Sequence, residues 1–450
     1  MNSVSFLSLL FHPLAKFPSS KLSAATRWYE CYYDVFLPGQ YTWKIAELHK
    51  RYGPIIRISP HELHVNDPDF FKDLYCWDGR WNKYGWAFDA FGAPLSTICC
   101  VGHDLHKERR VSLERYMSKA NVERDQDMIQ DLIAKLLNLG SALSAFVRDV
   151  ATQWLLGKNY NNLDKEDFNS RMTAVFQGGG HVWRITKNFR WFGAIDFFSF
   201  LNDMLVVTRE TLSIFSASAV DDEVKDERSI IQVIVQSNLP PSEKNLMRVF
   251  DDTTAAAMRL ILFYVYSNPA ILDKLRTELA SVAFREPERP VFELASLEQL
   301  PYLTAVMTEG LRLSPGVAMR QARIAPDREL VYNKWEIPIR TPIGMTALLM
   351  HMDEKLYPDP ERFEPERWVD LEARKKADKT FAPFSRGTRN CLGMYLAWAE
   401  MYMITSTLVH RFDFKFDGAS PEQVIAFSDE FIIGTKDRSG LKAFVAKHKP

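Results

Sequence analysis

One ten-residue stretch concentrates the chemistry: Phe384-Ser385-Arg386-Gly387-Thr388-Arg389-Asn390-Cys391-Leu392-Gly393. Its cysteine lies between two glycines and ahead of an apolar helical pattern. Free backbone N–H groups and the positive end of a helix dipole stabilise a thiolate at such a place. A thiolate held this way can be the axial ligand of haem iron, pushing electron density that favours O–O cleavage. Gly387 permits a tight turn, and Gly393 permits a macrocycle to approach the helix closely. Phe384 can shield the sulfur, and Arg389 can pair with a haem propionate. Taken alone, Cys391 reads as a buried structural cysteine. The pattern FxxGxRxCxG, met at all five fixed positions, argues against that reading.

Other groups are weaker by themselves. Glu309 and Arg312 stand three apart on a predicted helix, so they face the same way. Most such pairs are surface ion pairs. His106 and Arg110 stand four apart on a second predicted helix, where a solvated face is the plain reading. The HxxH spacing at His103/His106 recurs at His61/His64, but neither pair brings a third ligand or a catalytic Glu, which argues against zinc. Asp252-Thr253-Thr254 offers an acid and two alcohols on a helix that stops at Asn268-Pro269. Gly178-Gly179-Gly180 reads as a hinge or turn, with no phosphate-loop context.

The elements that must position these groups are mainly helical from His103 to Arg312. Thr42 to Tyr52 has helical spacing. Ile55–Ile58 and Leu63–Val65 read as a hairpin about Ser59-Pro60, and Asp67-Pro68 opens a short helix. A helix is expected from about Pro241 to Ser267 and another over Tyr302–Leu313. Strands are expected at Glu329–Tyr332, Trp335–Ile337 and Met345–Met350. A proline-rich irregular stretch then leads to Cys391, and a stretch of that length is usually functional.

With these motifs in view, the chain resembles a cytochrome P-450, a haem-thiolate monooxygenase, over about Phe11 to Phe416. Phe11–Pro18, Ala24–Tyr33 and Tyr52–Ile58 resemble the enzymes of filamentous-fungal secondary metabolism. The resemblance implies a mostly α fold with a smaller β-rich lobe. It implies haem with Cys391 on the iron, and contacts from His106 (in place of the family's Trp), Arg110, Arg323, Phe384, Arg389 and Gly393. Of Arg320 and Arg323, the latter is preferred as a propionate partner. Pro365-Glu366-Arg367-Trp368 resembles the family's PERF/W box, so Glu309, Arg312 and Arg367 are expected to form a buried structural triad. Such a triad is tolerable only with further carbonyl acceptors. Asp252 and Thr253 align with the family's acid–alcohol pair for proton delivery. Val249 and Phe250 replace the usual Ala and Gly, and the helix upstream is shorter by about four turns. In an alternative register Arg248–Thr254 is the upstream segment and the oxygen-binding groove is missing.

The implied activity is oxygen insertion into a lipophilic small molecule, a terpenoid or polyketide. Electrons would come from an NADPH-dependent reductase, because no dinucleotide fingerprint is present. Trp81–Cys100, Phe189–Phe200 and Gly316–Ala318 fall where relatives line the pocket. The rivals are a haem-thiolate dehydratase or isomerase, and a truncated haem-binding product without turnover. Lys plus Arg is 56 against 57 Asp plus Glu, so there is no electrostatic footprint for nucleic acid. The five cysteines form no disulfide framework. Residues 1–20 read as a short lead-in, a truncated anchor region, and 21–450 as one haem domain. Val4–Phe11 is short and broken by serines, whereas a span needs about 20 apolar residues. The expectation is the cytoplasmic side of the endoplasmic reticulum by resemblance, with peripheral attachment or a soluble state and weak membrane-surface contact.

Overall fold

The computed structural model describes residues 9–91, 96–134, 140–156, 159–165, 167–189, 252–285 and 291–448. In chain order, the labelled elements begin with α1 (Tyr41–Tyr52), β1 (Ile55–Ser59), β2 (Glu62–Val65), β3 (Asn82–Lys83), α2 (His103–Glu114), α3 (Gly140–Leu156) and α4 (Ser170–Asn188). Then come α5 (Asp252–Ser267), α6 (Pro269–Leu279), α7 (Pro301–Leu313), β4 (Arg323–Ile324), β5 (Leu330–Tyr332), β6 (Trp335–Ile337) and β7 (Ile343–Gly344). The chain closes with α8 (Met394–Arg411), β8 (Phe412–Phe416), β9 (Ser428–Glu430), β10 (Ile432–Gly434) and β11 (Ala443–Lys447).

The main core lies among α3, α5, α7 and α8, with Phe146, Met258, Ile261, Leu303, Met307 and Met401 all fully buried. Ala255, Met258, Leu260, Ile261, Leu262 and Val265 of α5 are all buried, so apolar residues wrap most of that helix, as a central helix requires. Asn268 ends it. Its side chain accepts the Ala270 N–H at 3.1 Å, Pro269 opens α6, and the axis turns by 102°. Among the described residues no single helix is long and apolar enough to cross a membrane.

A five-stranded sheet runs β1-β2-β7-β4-β3. The expected hairpin pairs Ile55 with Val65, and β2 meets β7 in parallel with Leu63 opposite Ile343. At the far edge Lys83 stands opposite Arg323, which brings two cations side by side.

Three expectations need correction or fall outside the described residues. Met345–Met350 is not a strand: β7 ends at Gly344, and Ala347–His351 turns into a helix. Ala, Leu, Leu and Met are strong helix formers, and Met345 and Met350 are buried in either geometry. The glycine triplet is no hinge. It lies within α4, where a Cβ on Gly180 would come within 2.4 Å of the Glu430 Cβ, so the glycine serves close packing. The expected helix from Pro241, with Arg248, Val249 and Phe250, lies outside the described residues up to Asp252.

Gly310 sits where α7 crosses α5, and a Cβ there would lie 2.2 Å from Ile261 Cγ1. Gly310→Ala is therefore expected to destabilise by about 1–3 kcal/mol through overpacking. Thermal melting checks this. The double variant with Ile261→Ala should lose less than the two single losses added together.

Candidate functional site

The Cys391 loop is clamped onto neighbouring backbone. Gly387 adopts a φ of +69°, and a Cβ there would meet the Cys76 carbonyl oxygen at 2.2 Å, so only glycine fits. The Asn390 N–H donates to the Gly387 oxygen at 3.0 Å, and the Cys391 N–H to the Phe384 oxygen at 2.8 Å. Gly393 is different. A Cβ there would meet only the Met117 Cε, at an ordinary 3.7 Å, so the chain's own packing does not demand glycine. Cys391 precedes α8 by three residues and is the one exposed cysteine of the five. Yet burial pushes its thiol pKa up, opposed by the Gly393 N–H and the Arg110 charge. The thiol thus combines accessible surface with desolvation by its neighbours.

Beside this loop lies a group of cations. Arg389 donates to the carbonyl oxygens of Cys100 at 2.9 Å, Val101 at 3.0 Å and Trp81 at 3.1 Å, while its buried Nε has no partner. Arg323 is fully buried, donates to Gln321 O at 3.1 Å and lies 5.1 Å over the Tyr75 ring. Lys83 is buried and donates to Ile98 O at 2.6 Å. Burial, then the charges of Arg323 and Arg389, push its pKa well down. His106 lies beside these cations as a neutral ring. Burial, then Arg389, Lys83, Arg110 and Arg323, depress its pKa to about 2. Among the described residues no carboxylate pairs with Lys83, Arg323 or Arg389. Buried like charges repel strongly unless an anion joins them, so this set fits the two carboxylates of a haem. Arg110 faces elsewhere: its guanidinium holds Asn390 and Glu114.

Glu309, Arg312 and Arg367 are brought together. Arg312 donates to both Glu309 oxygens at 2.8 Å, and Arg367 Nε donates to Oε1 at 3.1 Å. The irregular stretch supplies carbonyl acceptors: Arg362 O for Arg312 and Pro358 O for Arg367. Two partners were not foreseen. Trp368 Nε1 donates to Glu309 at 2.8 Å, and His351 accepts the Ala382 N–H at 3.1 Å through Nε2. The other His351 nitrogen, Nδ1, must then carry the proton it donates to Arg312 O at 3.0 Å.

Thr253 packs against the loop after α7. A Cβ on Gly316 would lie 3.2 Å from the Thr253 Cβ. Gly316 O accepts the Ile433 N–H at 3.1 Å, and Val317 bridges to Ile432, so the β9–β10 hairpin is tied to this loop. At its tip Phe431 meets Phe91, Trp183 and Phe88 with ring centroids 4.7, 5.7 and 6.0 Å apart. Buried ion pairs hold these parts in place. Lys187 of α4 pairs with Asp34 at 2.6 Å and Glu30 at 3.2 Å, Arg320 with Glu62 at 2.7 Å and Glu30 at 2.9 Å, and Arg184 with Glu430 at 3.2 Å. Arg320 is thus saturated by carboxylates, while Arg323 has none. Burial pushes Asp34 up to about 6 despite Lys187, and Arg320, Lys187 and Arg27 hold Glu30 down against its own burial. The side chain of Asp252 and the expected pocket residues 92–95 and 190–200 lie outside the described residues.

The family profile described as Cytochrome P450 matches residues 245–439. A cytochrome P450 monooxygenase, MO6277, of Ascocoryne sarcoides is 34% identical, covering 94% of this chain and 92% of its own. The chain belongs to the cytochrome P450 family. A tryptophan 6-hydroxylase, fscE, of Fusarium equiseti is also 34% identical, over 99% of this chain and 94% of its own. A conidiogenone synthase of Penicillium rubens is 33% identical, over 96% and 94% respectively.

As a cytochrome P450 the protein is a mostly α haem-thiolate monooxygenase whose iron is bound by a cysteine. Within this P450, Lys83 is the residue beside Arg323 and Arg389 that sequence reasoning missed. A single Lys among Trp81, Tyr84 and Trp86 gives no periodic signal, and only the β3–β4 ladder sets it against Arg323.

His351 gives a pH prediction. Burial, then the Arg312 charge, depresses its pKa to about 3 from 6.5. Unfolding therefore takes up a proton between about pH 3 and 6.5. The stability His351 contributes is complete above pH 6.5 and is lost as pH falls toward 3, by about 1.4 kcal/mol per unit. His351→Gln should flatten the acid limb of the melting-temperature profile by about one proton.

Proposed function

We propose that Cys391 is the proximal haem ligand and that Lys83, His106, Arg323 and Arg389 hold the propionates. On this reading the enzyme oxidises a lipophilic small molecule, a terpenoid or polyketide of secondary metabolism. The observation that supports this best is the buried cation set without a carboxylate, beside the one exposed thiol. Haem bound through a thiolate supplies reductive activation of dioxygen and oxygen insertion. Residues 21–450 act as one catalytic unit.

The chain's own residues have separable tasks. Phe384 anchors the Cys391 N–H and shields the sulfur side of the loop. Phe88, Phe91, Trp183 and Phe431 exclude water and favour an apolar substrate. Thr253, on α5 beside Gly316, would hold and deliver a proton through Oγ1, with Asp252, the preceding residue, as the acid of the pair. Among the relatives are a tryptophan 6-hydroxylase and a conidiogenone synthase. The comparisons give no support to a dehydratase, an isomerase or an inactive product.

An NADPH-dependent reductase supplies electrons. The outer face of α2 lies beside the Cys391 loop and exposes Lys107 among Asp104, Glu108 and Glu114, so it carries charge of both signs. Exposed Leu10, Phe11, Leu22, Trp28, Tyr32 and Phe36 form an apolar face for weak contact with a bilayer surface, on the cytoplasmic side of the endoplasmic reticulum. Trp28 meets Phe189 edge-on at 5.7 Å, which extends this face to the end of α4.

Cys391→Ala is expected to abolish the thiolate-type carbon-monoxide difference spectrum and all turnover. Cys99→Ser should leave that spectrum in place. Retention of the band without Cys391 would overturn the assignment.

Thr253→Ala should uncouple the enzyme, with NADPH consumed, peroxide released and product formation down by about 10²–10⁴-fold. Coupling equal to the parent's would show that α5 has no relay at Thr253.

A further inference from the structure

Arg110 is expected by resemblance on a haem propionate, but its guanidinium is otherwise engaged. Nη1 donates to the Asn390 carbonyl oxygen at 2.8 Å, and Nη2 donates to the Asn390 side-chain oxygen, also at 2.8 Å. Nε donates to Glu114 at 2.5 Å, one turn further along α2. The fork thus grips both oxygens of the residue immediately before Cys391. The other end of the same peptide is fixed too, because the Cys391 N–H donates to Phe384 O at 2.8 Å. A peptide plane held by both its oxygen and its N–H cannot rotate, so the direction of the Cys391 side chain is set. Lysine is a point donor and cannot reproduce a two-oxygen grip.

We propose that Arg110 is a positioning residue for the thiolate: it clamps the Asn390–Cys391 peptide to α2 and keeps a guanidinium charge beside the sulfur. The inference rests on Cys391 being the haem ligand. Partners of this kind orient a metal ligand and tune the metal without touching it. A charge beside the sulfur makes the thiolate a weaker donor to iron, so its removal shifts the reduction potential downward. Arg110 then serves the ligand, while Lys83, Arg323 and Arg389 serve the propionates.

The test uses purified holoenzyme and three readouts: the ferric/ferrous midpoint potential, the rate at which the thiolate-type carbon-monoxide band decays to the thiol-type band, and haem retained after gel filtration. Asn390→Ala should speed the decay roughly 10-fold while retaining haem like the parent. Arg110→Ala should decay at least as fast, because Asn390→Ala leaves the bond to the Asn390 carbonyl oxygen in place, and should also lower the potential. Arg110→Lys should keep the potential near the parent value and still speed the decay. The double variant Arg110→Ala/Asn390→Ala should decay no faster than Arg110→Ala alone, because one clamp is removed once.

Additive effects in the double variant would overturn the proposal, as would an unchanged decay in Asn390→Ala. Haem loss in Asn390→Ala as severe as in Arg323→Ala would also overturn it, since it would place Asn390 in haem retention. These results are distinct from failure of the ligand assignment, which is read from the persistence of the band in Cys391→Ala. Should Arg110→Ala fail to fold, Asn390→Ala and Arg110→Lys decide the question by themselves.

Discussion

A single fully buried carboxylate organises the proximal half of this protein. Glu309 accepts five hydrogen bonds: two from Arg312, and one each from Arg367, Trp368 Nε1 and the Glu364 N–H. An ionised group out of water persists only when its lone pairs are filled, and here they are. The donors come from α7 and from an irregular stretch with little regular hydrogen bonding of its own. That stretch leads through Ala382, held by His351, to Phe384 and the Cys391 loop. The constraint at Glu309 therefore propagates to the sulfur.

The opposite arrangement prevails a short way along the sheet. Among the described residues Lys83, Arg323 and Arg389 are buried with carbonyl oxygens and aromatic rings for partners and no carboxylate, so positive charge is concentrated there. On the Arg320 side the charges balance: Arg27, Arg320 and Lys187 are met by Glu30, Glu62 and Asp34. Only Gln321 and Ala322 separate Arg320 from Arg323, yet one is saturated and the other is not. This difference separates a structural cation from one available to an anionic group. The balanced network binds α4 to the segment around Glu30 and to the β9–β10 hairpin, holding the aromatic wall of Phe88, Trp183 and Phe431 over Gly316 and Thr253.

Local patterns were legible where local forces decide them. The hairpin about Ser59-Pro60, the stop at Asn268-Pro269 and the helix bearing Glu309 and Arg312 follow from turn chemistry, capping and spacing. Expectations failed where burial overrode local cues. Gly178–Gly180 reads as a break, but Gly180 lies within a helix because Glu430 leaves no room for a side chain. Met345–Met350 reads as a strand, but the apolar run is helical from Ala347.

The sequence by itself determined the family and singled out Cys391 as the candidate ligand. Five spaced residues around Cys391 are contiguous, so their chemistry survives without knowledge of the fold, and relatives spanning nearly the whole chain agree on the family. Only the tertiary structure decided which charges stand alone. Lys83 and Arg323 meet across β3 and β4, Arg389 joins them through the carbonyls of Trp81, Cys100 and Val101, and Arg110 turns to Asn390. Whether a buried charge is neutralised depends on groups hundreds of residues away in sequence. Long-range Coulomb terms and desolvation in a packed interior leave no local trace.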